Sequence, residues 1–276
     1  MSAPLKLLTP AQTVSAYAEN GAQKAGAPAL KLLLLGILAG FLIGMGAAVA
    51  NTGAHALESA SAARIAAGLL FPFGLGIIIL IGAELYTGNC MIPVSLLERK
   101  CSLRGMLRNW FWVYLGNFIG AGLLAISCAR FGQLDISGGL LAVYTIKVGI
   151  AKCGLSFAAG VIMGIFCNLL VCLGVLCSLA ARDVAGRILG AYIPVAFFVI
   201  CGFEHCVANM YFIPAAILAA GTPEYAALAA AAGLDISVLT WSNFIFKNLI
   251  PVTIGNTLAG AGLITLLWYA HIKKAA

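Results

Sequence analysis

Long apolar stretches dominate the chain, and polar residues are confined to the gaps between them. Six runs stand out, at residues 32–50, 63–97, 107–128, 153–181, 188–220 and 242–271. A helix that crosses a bilayer needs about 20 mainly apolar residues, so each run predicts a membrane span. Barrel strands are excluded, because they alternate apolar with polar over about 10 residues. The second and fifth runs are longer than a straight helix needs, and each is punctured near its middle. The second carries Gly82, Gly88 and Pro93 around Glu84, and the fifth carries Gly202 and Pro214 around Glu204 and His205. Both are expected to be broken helices.

Residues 1–28 have mixed polarity. Thr9-Pro10 reads as an N-cap followed by a proline at the first helical position, which predicts an amphipathic helix on the cytoplasmic membrane surface. A signal peptide is the rival reading of Lys31 and the run after it, but 32–50 exceeds the usual apolar core of such peptides and reads better as a first span. Residues 29–276 then form the six-helix transmembrane domain. Counting Lys and Arg by alternate loops places Lys6, Lys24, Lys31, Arg99, Lys100, Arg104, Arg108, Arg182, Arg187, Lys273 and Lys274 on one side. Arg64, Arg130, Lys147, Lys152 and Lys247 fall on the other. Both termini are therefore expected in the cytoplasm, in a multi-pass protein of the inner (plasma) membrane. Trp110, Trp112, Trp241 and Trp268 fall near span ends, as interfacial anchors do.

Composition agrees: 62% of the 276 residues are hydrophobic and 9% are charged, against roughly 25% charged in a soluble domain. The net charge of +7 comes from cations in the gaps between runs, which is topogenic and gives no reason to expect nucleic acid. Nine cysteines without a C-x-x-C pair and three scattered histidines give a metal cage or a bis-histidine haem little to build on. No cofactor is expected.

Two halves of the chain resemble each other. Gly82-Ala-Glu84-Leu-Tyr-Thr-Gly-Asn89 and Gly202-Phe-Glu204-His-Cys-Val-Ala-Asn209 share G-x-E-x-x-x-x-N, and Ala39-Gly40 and Gly44 recur as Ala159-Gly160 and Gly164, all 120 residues later. Val113, Gly116 and Asn117 recur as Val252, Gly255 and Asn256. Each copy, about 29–130 and 150–272, holds three spans. An odd number turns the second copy upside down, which predicts an inverted 3+3 repeat with the broken helices meeting near the midplane. Irregular backbone survives at that depth only when buried in protein or lining a wet cavity. Helices starting there aim N–H groups inward and favour an anion.

Gly82-Ala-Glu-Leu-Tyr-Thr-Gly88, Gly164-Ile-Phe-Cys-Asn168-Leu-Leu-Val-Cys172 and Gly202-Phe-Glu-His-Cys-Val-Ala-Asn-Met210 resemble the formate/nitrite transporter family. The resemblance spans the whole chain. It implies a homopentamer with an aquaporin-like fold, each protomer passing small monovalent anions such as formate, nitrite or hydrosulfide through its own pore. Carried over by position, His205 would be the central pore histidine, Thr87 its partner on the other broken helix, and Lys152 the vestibule lysine, sixteen residues before Asn168 on the substrate path. Phe71, Leu75 and Phe198 would form one apolar constriction and Leu85 part of another. Tyr86 and Gly174 stand where family members usually have Phe and Ala.

An ionisable residue within a span is costly and usually functional, so His205 reads as a donor to a passing anion and, once charged, as a source of protons. Glu84 and Glu204 read as structural acceptors for N–H groups released at their own breaks, with Asn89 and Asn209 replacing other lost backbone bonds. Lys152 is expected to open the fourth span and gather anions at the mouth, against a plain snorkelling role. The partners expected are a small anion, protons and lipid. A neutral-solute pore of the aquaporin type, and a membrane redox enzyme using Cys and His, are the rival readings.

Overall fold

The computed structural model describes residues 6–274, so the first five residues of the expected N-terminal helix segment and the last two of the membrane domain lie outside the described residues. Among the described residues the chain is helical, without strands. Helix α1 (Pro10–Gly26) is capped by Thr9, whose hydroxyl accepts the Gln12 N–H while the Gln12 side chain accepts the Thr9 N–H. It buries Val14, Tyr17, Ala18, Gly21 and Ala25 against the rest of the protein.

Helix α2 (Ala29–Ala54) is followed by α3 (Ala60–Leu70), α4 (Phe73–Ile81), α5 (Tyr86–Asn89), α6 (Pro93–Leu97) and α7 (Leu103–Arg130). Then come α8 (Leu140–Cys153), α9 (Phe157–Ala180), α10 (Val184–Cys201), α11 (Cys206–Ala220), α12 (Pro223–Ala231) and α13 (Trp241–Lys273). Six stretches are long and apolar enough to cross a membrane: α2, residues 60–81 made of α3 and α4, α7, α9, α10 and α13. A wide π-type turn at Phe244–Leu249 precedes Pro251 in α13, where a proline ring would crowd a regular turn.

The long runs divide where glycine allows it. Helix α4 ends at Gly82 and α10 at Gly202, both left-handed, at φ 70° and 72°. Residues 83–85 and 203–205 carry no helix before α5 and α11 begin. Pro214 lies inside α11 without ending it, and Pro93 opens α6.

Glycine also sets the packing. Gly40 and Gly120 leave α2 and α7 so close that an added methyl group would run into the facing backbone, and Gly164 and Gly255 do the same for α9 and α13.

Two elements escape the apolar-run reading. The stretch 140–153 forms α8, a helix too short to count as a span, and α12 follows α11 at a sharp bend of 94°. The fourth span therefore begins at Phe157, and Lys152 sits in the last turn of α8 rather than at the head of that span.

Candidate functional site

The two non-helical segments face each other. Thr87, in α5, and His205, the residue capping α11, meet with Thr87 Oγ1 3.1 Å from His205 Nε2. The Ala208 N–H donates to His205 Nδ1 at 3.1 Å. Nδ1 is thereby an acceptor, which puts the ring proton on Nε2 and makes the Thr87 hydroxyl oxygen its acceptor. Both side chains are buried. Phe198 stacks on the imidazole at 5.7 Å between ring centroids, and Phe71 meets Phe198 edge-on at 5.7 Å. Leu75 and Leu85 are buried in the same apolar core. A single polar contact is thus enclosed by apolar side chains.

Asn168 donates from α9 to the Thr87 carbonyl at 3.1 Å and to the Asn256 carbonyl at 2.6 Å, while its own Oδ1 has no partner among the described residues. It fixes the backbone that carries Thr87.

Each segment is held by the same set of bonds. At the first, the Tyr86 N–H donates to Asn117 Oδ1 at 2.9 Å, and Asn117 Nδ2 donates to the carbonyls of Gly36 and Glu84 at 2.8 and 2.9 Å. At the second, the Cys206 N–H donates to Asn256 Oδ1 at 2.9 Å, and Asn256 Nδ2 donates to the carbonyls of Gly164 and Glu204 at 2.8 and 3.0 Å. Three N–H groups at the start of α5 and α11 are taken up in this way: that of Tyr86 by Asn117, that of Cys206 by Asn256 and that of Ala208 by His205.

The carboxylates do something else. Glu84 accepts from Lys24 at 2.8 Å and from Asn89 at 2.6 Å. Glu204 accepts from Lys152 at 2.9 Å and from Asn209 at 2.6 Å. Asn109 and Asn248 extend the two clusters, each accepting from the first asparagine and donating to the carbonyl of the paired lysine at 3.1 Å. This corrects two expectations. Glu84 and Glu204 neutralise lysines and anchor Asn89 and Asn209, and the freed backbone is satisfied by Asn117 and Asn256. Lys152 is no free cation: its side chain is 14% exposed, that of Glu204 is 7% exposed, and the ammonium lies 5.2 Å from the Phe212 ring centre.

A cavity of about 360 Å³ opens on the α1 side. Lys24, Lys31, Arg187 and Glu84 line it, and Leu75 and Leu85 line it too. Helix α1 forms part of its wall, and the Tyr17 hydroxyl donates to the Gly88 carbonyl at 2.7 Å. Burial holds the Tyr17 phenol well above its ordinary pKa, so it remains a donor. Arg108 closes the C-terminal end of α1, donating to the carbonyls of Ala25 and Ala27 at 2.9 Å.

Sequence reasoning passed over Lys24, Tyr17, Asn109 and Asn248, and noted Asn117 and Asn256 only as repeat markers. Lys24 was findable in principle: the helical segment before the first span holds a lysine, as the helix before the fourth does.

Comparison with known proteins completes the picture. The formate/nitrite transporter family profile matches residues 11–270. A probable formate transporter of Methanothermobacter thermautotrophicus is 34% identical, over 96% of this chain and 98% of its own length. The formate channel FocA of Escherichia coli strain K12 is 33% identical, over 98% and 97%. Among solved structures, a pentameric formate channel with formate bound is similar at a TM-score of 0.80 and 32% identity, covering 89% of this chain and 98% of that one. The family and these structural neighbours are channels, not enzymes, which sets aside the redox-enzyme reading.

Proposed function

This chain belongs to the formate/nitrite transporter family, and from that premise we propose that it passes small monovalent anions, formate foremost, across the inner membrane with both termini cytoplasmic. Formate is favoured because the similar proteins above are named for it; nitrite and hydrosulfide are the other anions of the right size and charge. The functional unit is a homopentamer, a reading supported by likeness to a pentameric channel.

The architecture proposed is an inverted repeat of three spans and three spans, with the second and fifth broken. Its support is the matched bond sets of Asn117 and Asn256 and of the Lys24–Glu84 and Lys152–Glu204 clusters. Two copies of a motif that grip their own segments in the same way are what a twofold related pair produces.

The observation that carries the function is the bond between Thr87 and His205. An anion arriving from either side leaves water at an apolar ring: Leu75, expected with Phe71 and Phe198, lines the α1-side cavity with Leu85 instead, and Phe71 and Phe198 stand beside the histidine. The first donors it then meets are the Thr87 hydroxyl and the His205 Nε2–H. A bare monovalent anion can exchange for that internal bond, whereas a hydrated ion is too large and too costly to desolvate without donors. Proton coupling goes through the imidazolium. The ring becomes charged when Nδ1 takes a proton in place of the Ala208 N–H, and Nε2 can then hand a proton to formate, which leaves as the neutral acid.

The test is labelled-anion flux into proteoliposomes, with formate, nitrite, lactate and hydrosulfide side by side. Formate uptake well above protein-free vesicles, lost in Thr87→Val with His205→Asn, supports the proposal. Water or ammonia flux without anion flux would favour the neutral-solute pore and overturn it.

A further inference from the structure

The ion pairs at Glu84 and Glu204 raise a question: which cations remain to attract an anion to each mouth? Helices α3 and α10 lie side by side and run in opposite directions. Gly68 packs against Ala196 and Ile200, Phe71 against Phe198, and the Tyr192 hydroxyl donates to the Leu69 carbonyl. The start of α3 therefore lies beside the end of α10, and the start of α10 lies beside α4, where Ile188 is the neighbour of Gly76.

Arg64, in the second turn of α3, lays its guanidinium over the α-carbon of Gly202, in the space a side chain there would fill. Burial pushes the Tyr144 phenol on α8 up, and the positive charge of Arg64 partly offsets that. Arg187, in the first turn of α10, lines the 360 Å³ cavity together with Gly82 and Glu84. Arg64 thus stands at the glycine that ends α10, and Arg187 shares a cavity with the glycine that ends α4. Among the described residues neither guanidinium has a carboxylate within ion-pair distance, whereas Lys24 and Lys152 each do.

Resting on the anion-channel reading above, we infer that Arg64 and Arg187 are the anion-gathering cations of the two mouths, a role that spacing and resemblance assign to Lys152. A lysine neutralised by a carboxylate at hydrogen-bond distance presents a dipole whose field falls off quickly. An unpaired guanidinium presents a full charge. At about 6 Å in water one such charge enriches a monovalent anion about threefold, and salt screens that enrichment.

The assay is equilibrium exchange of labelled formate across proteoliposomes collected in one orientation by a C-terminal tag. Impermeant sodium gluconate is raised from about 20 to about 500 mM on one side at a time, with sucrose balancing the other, a range that shrinks the Debye length from about 20 Å to a few ångströms. Wild-type exchange should fall about threefold with salt on either side. Arg64→Gln should start about threefold lower and lose its response to salt on the α8 side only, keeping the response on the α1 side. Lys31 lines the same cavity and, among the described residues, also has no carboxylate within ion-pair distance, so Arg187→Gln combined with Lys31→Gln should show the mirror image. Arg64→Lys and Arg187→Lys, which keep the charge, should behave as wild type and separate electrostatics from folding. A wild type that exchanges formate while both Gln variants keep both salt responses would overturn the arginine assignment alone. A correctly assembled wild type without formate exchange would overturn the channel reading on which it rests.

Discussion

Replacing Asn256 by Leu removes three hydrogen bonds while nearly keeping the shape of the side chain. The amide of Asn256 satisfies the Cys206 N–H and the Glu204 carbonyl, buried backbone groups at a place where the helix has stopped, and ties them to the Gly164 carbonyl inside α9. If each bond contributes the roughly 0.6 kcal/mol typical of polar contacts between membrane helices, the loss is about 2 kcal/mol. If the stranded groups carry their full burial penalty, it is about 3–5 kcal/mol. The larger figure is expected, because backbone fixed by Gly202 and by α11 cannot turn to a new partner. Asn117→Leu should cost the same within about 1 kcal/mol, since it breaks the corresponding three bonds at 2.8–2.9 Å. Reversible unfolding in mixed detergent micelles, followed by tryptophan emission, measures both. A cost below 1 kcal/mol for either variant, or a difference above 2 kcal/mol between them, would refute the claim that these two asparagines do equivalent work at equivalent segments.

Lys152→Ala leaves the Glu204 carboxylate buried without its cation, so stability should fall by about 3 kcal/mol and flux should drop at every salt concentration; the double variant with Glu204→Gln should recover much of the stability. A flux loss confined to low salt would contradict the ion pair's structural role. Gly202→Ala adds a methyl group where the backbone is left-handed and the Arg64 guanidinium already lies, whereas Gly82→Ala meets the same backbone strain in open space. The first should cost more than the second, whose strain alone is about 1 kcal/mol, and a reversed order in detergent unfolding would count against the placement of Arg64. Tyr17→Phe removes the bond to the Gly88 carbonyl and should speed amide exchange in α1, while unchanged exchange would show that apolar packing alone holds the helix.

How much of this could be read beforehand follows from which signals are local. Six apolar runs predicted the spans, because the length of an apolar run is written in consecutive residues. Gly82 and Gly202 marked where two long runs divide, because a left-handed turn needs glycine. Pro214 in the same run was a false marker: α11 simply continues through it. Helix α8 was missed because Lys147 and Lys152 interrupt its apolar residues, and with it the true position of Lys152 was missed. The partners of Glu84 and Glu204 were misjudged for a different reason. A carboxylate beside a helix end has local N–H groups to bind, but here lysines 60 and 52 residues away in sequence reach it first. Thr87 and His205 were paired through the 120-residue repeat and the family resemblance together, because a contact across 118 residues leaves no signal in consecutive residues.

The central claim, that His205 carries protons as well as anions, is tested most directly by formate uptake into proteoliposomes between pH 8 and pH 5, with an internal pH reporter and His205→Asn beside wild type. Protons for transfer through the imidazole to formate become more available as pH falls, so wild-type uptake should rise toward pH 5 with proton entry accompanying formate. Asn keeps a polar group but has no proton to exchange, so the variant should assemble and lose that rise. A variant that kept the wild-type pH profile and the same proton movement per formate would contradict the account and leave His205 as a polar group bonded to Thr87 and nothing more.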